Sequence, residues 1–349
     1  MRKKTSAFLL FLLLLLVTVA CSKDEQTAEP KEEQDVQEET QEPEVKEPEF
    51  KNVYPLTGIA TNEPVDDRIV AVMVNNHFKA RPQTGLTQAD IVFEMLAEGD
   101  ITRFMALFHS EQPEKIGPVR SARPYYFNLA DDYGALYVHH GAAQFIEDML
   151  INGAADYLNG MYYDNDGHLF ERADFRQAPH NSYTIFDGIF EVAKEKGYDI
   201  TGQYEPLPFL SEDEVIGLQG EAAKEASFSY FSNDPIRYVY DTASEKYFRY
   251  NGEQQSVELE TEEPIQLDNV FLIEAHHEVV DDYGRRDIDL QSGGDAYLLQ
   301  KGKLQKVQWE NVDGRIVASQ NGETIGFVPG KTWINVIPES PGLEGVTIQ

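Results

Sequence analysis

The segment Gly117-Pro118-Val119-Arg120-Ser121-Ala122-Arg123-Pro124 brings two guanidiniums and a hydroxyl together just before a helical pattern. Ser121 reads as an N-cap and Pro124 as a first-turn residue, where a missing N–H costs nothing, so a helix is predicted over 122–133. A helix start carries unsatisfied N–H groups and partial positive charge. Arg120 and Arg123 add to it, and the fork of a guanidinium matches carboxylate and phosphate oxygens. The chemistry on offer is the holding of an anion, either the protein's own or a ligand's.

Other polar groups fall where they could join this spot. Asn75-Asn76-His77 follows an apolar run, and Arg81 comes soon after. His139-His140 ends another run. The segment Ala178-Pro179-His180-Asn181-Ser182-Tyr183-Thr184 supplies His180, Asn181 and Tyr183, with Asp174 just upstream. With Arg103, Arg120, Ser121 and Arg123, these form the candidate ligand-binding set. The competing reading pairs the arginines internally with Glu94, Glu98 or Asp174.

Catalytic patterns are thin. There is no Gly-x-Ser-x-Gly, and Ser121 is better read as a cap than as a nucleophile. No His-Glu-x-x-His or cysteine pair occurs, and adjacent histidines on a strand point to opposite faces. No catalytic residue, metal or cofactor is assigned.

The elements that must position these groups are readable. Runs at 68–75, 89–97, 101–109 and 134–140 have the length and apolar content of buried strands. Asn75 and His139 then sit at strand C-termini, the edge where parallel sheets bind ligands. Glu94 and Arg103 are expected to face one another across a hairpin turning at Glu98-Gly99-Asp100. A short helix is expected at 145–150, and another, capped by Ser182 or Thr184, runs to about Lys196. The connection 204–226 reads as a domain boundary. Beyond it lie a hairpin (236–240 with 246–250), a strand over 270–280, and strands at 296–300, 306–310, 315–318 and 332–337. The fold class is α/β (α+β): a layered sheet-and-helix N-terminal domain at 51–203 and a β-rich C-terminal domain at 227–340.

The N-terminus gives the compartment. Arg2, Lys3 and Lys4 precede an apolar run over 7–20, too short to span a bilayer and shaped like a signal peptide. Cys21 is the only cysteine and directly follows it. Residues 22–49 contain twelve Asp/Glu, three Lys and almost nothing apolar, so 21–50 is expected to be a solvated, self-repelling tether. The chain's formal charge is −32; setting aside +3 from the signal and −9 from the tether leaves −26 on residues 51–349. That balance disfavours nucleic acid.

Thr18-Val19-Ala20-Cys21 resembles a bacterial lipoprotein signal. The segments Val74-Asn75-Asn76-His77, Ala80-Arg81-Pro82-Gln83, Ile101-Thr102-Arg103-Phe104, Gly117 to Arg123, Ala178 to Thr184, Gly284-Arg285-Arg286-Asp287-Ile288-Asp289-Leu290 and Pro329-Gly330-Lys331-Thr332-Trp333-Ile334 together resemble the YerB family of bacterial lipoproteins. The resemblance runs from about residue 54 to about 339. It implies an N-terminal and a C-terminal region, and acyl chains such as palmitate on Cys21. It also implies a place on the extracytoplasmic face of the cell membrane. The family is one of unknown function, so no catalytic residue comes with it. In order alone, the segments 89–92 and 117–123 are also similar to enzymes that move wall polymers from polyprenyl pyrophosphate carriers.

Two functional expectations follow. The first is a non-catalytic, membrane-anchored lipoprotein whose Arg81/Arg120/Arg123/His180 pocket holds an anionic cell-wall ligand or a segment of a wall-synthesis protein. The second is an enzyme acting on wall glycan or a polyprenyl-phosphate-linked substrate, with Asp90, Glu94 or His139 as base.

Overall fold

The computed structural model describes residues 50–230 and 235–349. The signal peptide, Cys21 and the tether through residue 49 lie outside the described residues. The apolar runs form a central sheet. Its strands are β1 (Val70–Asn75), β2 (Ile91–Glu98), β3 (Ile101–Phe108), β4 (Leu136–His139), β5 (Tyr157–Asn159), β6 (Asn269–Ala275), β7 (Gly294–Gln300), β8 (Lys303–Val312), β9 (Arg315–Gln320), β10 (Glu323–Ile325) and β11 (Thr332–Pro338). The helices α1 (Pro124–Asp132), α2 (Gln144–Ile151) and α3 (Phe186–Glu195) pack on it.

The strand order is β10-β9-β8-β7-β6-β11-β2-β3-β1-β4-β5, with a short strand at Glu221–Ala222 added to β8. The strand β11 lies parallel to both β6 and β2, so one sheet runs through both sequence regions. The described residues, 50–230 and 235–349, cluster as one unit.

Alternation along the strands gives each face its own core. Met73, Phe93, Met95, Met105 and Leu107 face the helices α1 and α2 through Tyr126, Leu129, Ile146 and Leu150. Val72, Val74, Phe104 and Ala106 face α3 and a six-stranded sheet built on Glu225–Phe228, Ile236–Asp241 and Lys246–Asn251.

Several expectations need correction. The helix α1 starts at Pro124 with Arg123 as N-cap, so Ser121 caps nothing. No side chain caps α3, because Ser182 and Thr184 are spent in a strand, Ser182–Ile185, that leads straight into it. The strand expected over 270–280 breaks at His276 into β6 and His277–Val279, which pairs instead with Arg286–Ile288. Among the described residues no helix is long and apolar enough to cross a membrane.

Candidate functional site: a cationic fork at the sheet's C-terminal edge

The strands β1 and β4 pair in parallel only from Val70–Val72 to Leu136–Val138. Beyond that they part, and the extended segment 118–122 enters between them. On one side the Asn75 N–H donates to Pro118 O (2.8 Å) and the Arg120 N–H to Met73 O (2.9 Å). On the other, the His140 N–H donates to Arg120 O (2.9 Å) and the Ala122 N–H to Gly141 O (3.0 Å). This pairing keeps the chain extended up to Arg123, which is why the helix starts late. It also fixes Arg120 in the crotch of a fork. Because β1, β2, β4 and β5 all run the same way, Asn75, Glu98, His139 and Asn159 end at this one edge.

The Glu94–Arg103 pair expected across the hairpin does not form. Register places Glu94 opposite Phe104 and Arg103 opposite Met95, so the two side chains take opposite faces. A β-bulge between Leu96 and Glu98 then aligns Glu98 with Ile101, turning Glu98 onto the face of Arg103. Glu98 accepts from Arg103 Nη2 through one oxygen and from Arg123 Nη2 (2.5 Å) through the other. Arg103 also donates to Ser121 O (2.8 Å), and Arg123 to Ala122 O (2.6 Å). Burial alone would raise the Glu98 carboxyl; Arg103 and Arg123 outweigh it and hold the group below its usual range. Burial, with Arg123 next, pulls the Arg103 guanidinium down to about 10, which leaves it cationic at neutral pH.

Arg120 is different. It is half-buried, its charge is felt by Glu98 and Arg123, and among the described residues its guanidinium makes no hydrogen bond or ion pair. The buried Nε of Arg123 is likewise without a partner. On the other flank of Arg120 lie His77 and His180, stacked at 4.6 Å. Asn75 clamps them: its Oδ1 accepts from the His77 N–H (3.0 Å) and its Nδ2 donates to His180 Nδ1 (2.9 Å). His77 Nδ1 accepts from the Lys79 N–H (3.1 Å). With both Nδ1 atoms accepting, each ring carries its proton on Nε2. Burial first, then the charges of Lys79, Arg81 and Arg120, lower the His77 pKa. Burial, His77, Arg120, Lys79 and Arg176 do the same for His180. The histidines are therefore neutral N–H donors at neutral pH.

The chain matches the family described as "Protein of unknown function (DUF3048) N-terminal domain" over residues 56–199 and its C-terminal domain over 226–334. It is 46% identical over 289 residues to "Putative lipoprotein YerB" of Bacillus subtilis (strain 168), covering 82% of this chain and 86% of that protein. This chain belongs to the DUF3048 family. A crystal structure of the Bacillus subtilis YerB protein superposes with a TM-score of 0.79 at 44% identity, spanning 86% of this chain and all of that one.

Other expected site residues of this DUF3048 chain fall around the fork or away from it. Asn76 and Arg81 stand beside His77, with Arg81 Nε donating to Asn76 O (3.1 Å) and Oδ1 (3.0 Å), at the edge of a cleft of about 270 Å³. His139 turns from the fork and stacks on Tyr137; its Nδ1 reaches Gly141 O (3.1 Å) and burial lowers its pKa to about 4. His140 packs on Phe170 and meets Asp164 at 3.3 Å. Asn181 receives Arg172, and Tyr183 receives Arg176 (2.7 Å). Asp174 is exposed and pairs with no arginine among the described residues. Among the described residues no group of three or more His, Cys, Asp or Glu is placed to hold a metal.

None of the groups put forward as a base is exposed, although Glu94 lies in the wall of the cleft beside Arg81. Asp90, Glu94 and His139 are each 0% exposed. Asp90 lies at the opposite end of the sheet, accepting the His109 and Ser110 N–H groups (2.7 and 2.9 Å) and the Ser110 hydroxyl. Glu94 is saturated by Arg249, Trp333 and Asn335 from the C-terminal region and by Asn76 and Thr102.

Proposed function

We propose that this DUF3048 protein is an extracytoplasmic lipoprotein, held by acyl chains on Cys21. In this reading the Arg120 fork binds, without turning it over, an anionic group of a cell-wall ligand or of an envelope protein. The observation that carries it is the state of Arg120. A guanidinium without a partner among the described residues lies beside Arg123, whose partner Glu98 also serves Arg103, in a region of charge −26. Glu98 engages two of the three guanidiniums and only the charge of the third reaches it, so the fork has positive charge to spare for a guest, with two neutral imidazoles beside Arg120. Membrane attachment is supported by the likeness of the N-terminus to a lipoprotein signal and by the name of the Bacillus relative. The enzymatic alternative would need an open base, and those considered are buried.

Calorimetric titration of the mature chain with inorganic pyrophosphate tests the reading. Saturable binding that Arg120→Ala abolishes supports it. Equal heats from both proteins, or none from either, would sink it.

A further inference from the structure

The fork is bordered by apolar side chains that the fold leaves uncovered. A Cβ built at Gly141 lies 3.6 Å from Met161 Cγ and 3.7 Å from Ser121 Oγ, so Met161, 59% exposed, flanks the fork directly. Asn159 ties the two segments, accepting the Gly141 N–H (2.9 Å) and the Met161 N–H (3.0 Å) through one oxygen. Next to the Glu98 carboxylate that serves the fork, the Glu98 backbone bridges to Arg285. The Arg285 guanidinium lies over the rings of Phe145 (5.4 Å) and Tyr283 (4.9 Å), which are 51% and 80% exposed. Phe78, 68% exposed, packs against His77. One turn on from Phe145, Met149 is exposed as well. Large apolar groups scattered singly over a surface need no explanation, but five near one cationic cluster form a patterned rim.

We infer that the ligand of the fork is an amphiphile: a phosphate or pyrophosphate headgroup on Arg120 and Arg123, carried on an apolar chain that lies along Met161, Phe145 and Met149. This rests on the anion-binding reading and sharpens it. The charge balance favours phosphate over a simple carboxylate. Three guanidiniums against Glu98 leave two positive charges; a phosphate dianion offsets both, and a lone carboxylate leaves one stranded. The rim then has a task that a free anion would not give it, since apolar surface gains from cover only when the guest is itself apolar.

The test is calorimetry on the mature chain, residues 21–349 with Cys21→Ser to leave out the lipid. The probes are inorganic phosphate, octyl phosphate below its micelle concentration, and octanol. Octyl phosphate should bind about tenfold more tightly than phosphate, the gain from covering about two methylenes. The paired change Phe145→Ser and Met161→Ser should erase that advantage and leave phosphate binding as it was; Arg120→Ala should remove both. Equal affinity for phosphate and octyl phosphate would overturn the amphiphile and leave anion binding standing. No binding of either would overturn both. Binding of octanol as tight as octyl phosphate, indifferent to Arg120→Ala, would reduce the rim to plain adhesiveness and end the inference.

Discussion

Glu94 and Arg249 meet at 2.9 Å across the two sequence regions, with side chains 0% and 1% exposed. Arg249 also lies over the rings of Phe104 (5.2 Å) and Trp333 (4.8 Å) and donates to Asn251 and Ser256. A buried ion pair is a weak source of net stability, yet removing one partner strands the other in a dry interior. Arg249→Met should therefore cost about 3–5 kcal/mol, read from urea denaturation of the whole chain. A loss below about 1 kcal/mol would mean that water reaches Glu94.

Asp90 sets a pH dependence of opposite sign to most acids. Burial is the dominant cause and, against its hydrogen bonds to Ser110 and His109, raises its pKa from 3.8 to about 6. A raised folded value means that the folded state binds a proton the unfolded state has released. The stabilisation is complete below the unfolded value and is lost as pH rises to about 6. Between pH 4 and pH 6 stability should fall by up to about 3 kcal/mol on this account. Asp90→Asn, compared by denaturation at both pH values, should flatten that slope, and an unchanged slope would assign it to another group.

Much of the frame could be read from the chain because its signals are local. The strands β1, β2 and β3 are continuous apolar runs, and their boundaries in the structure shift by only a residue or two. The convergence of Asn75 and the end of β4 followed from the parallel pairing that such runs suggest. Two things were not legible. One is the partner of Arg103: a single extra residue near Ala97 turns Glu98 onto its face, and a bulge leaves no mark in composition. The other is the insertion of β11 between β6 and β2, which unites strands more than 200 residues apart in sequence. The charges of Lys79 and Arg176 near His77 and His180 were not legible as a group either, although their spacing from the two histidines offered a clue.

Gly188 sits inside α3 for want of space. A Cβ there would lie 2.2 Å from His168 O, a backbone atom that cannot step aside without moving the start of the strand Phe170–Arg172. Alanine normally favours a helix, so Gly188→Ala would raise stability if propensity ruled. Overpacking should rule instead, with a loss of about 1–3 kcal/mol in thermal or urea unfolding. A stabilised variant would show that α3 can tilt away from the loop.

The proposed attachment through Cys21 can be examined apart from the fork. With Cys21 as the acylated residue, Cys21→Ser should shift the protein from the membrane fraction to the soluble or secreted fraction without changing the melting temperature of residues 50–349. Retention at the membrane after that change would assign attachment to the folded part or to the uncleaved signal.

Glu98 is the fork's resident anion, and its removal separates structure from binding. Its carboxyl is pushed up by burial but held below the usual 4.5 by Arg103 and Arg123, so its stabilisation exists above that value and disappears as pH falls through the lower folded one. Glu98→Gln should therefore be less stable than the natural chain at pH 7, with the gap closing as pH falls below the usual 4.5. In the same variant all three guanidiniums lack their internal counter-charge, so affinity for pyrophosphate at pH 7 should rise by about five- to tenfold, the effect of one charge removed a few ångströms away at a partly exposed site. The two effects have opposite signs, so a merely damaged fold would not produce both. Weaker pyrophosphate binding by a variant that still melts cooperatively would instead make Glu98 part of the surface that the ligand needs, for instance as the acceptor that keeps Arg103 and Arg123 aimed at the guest.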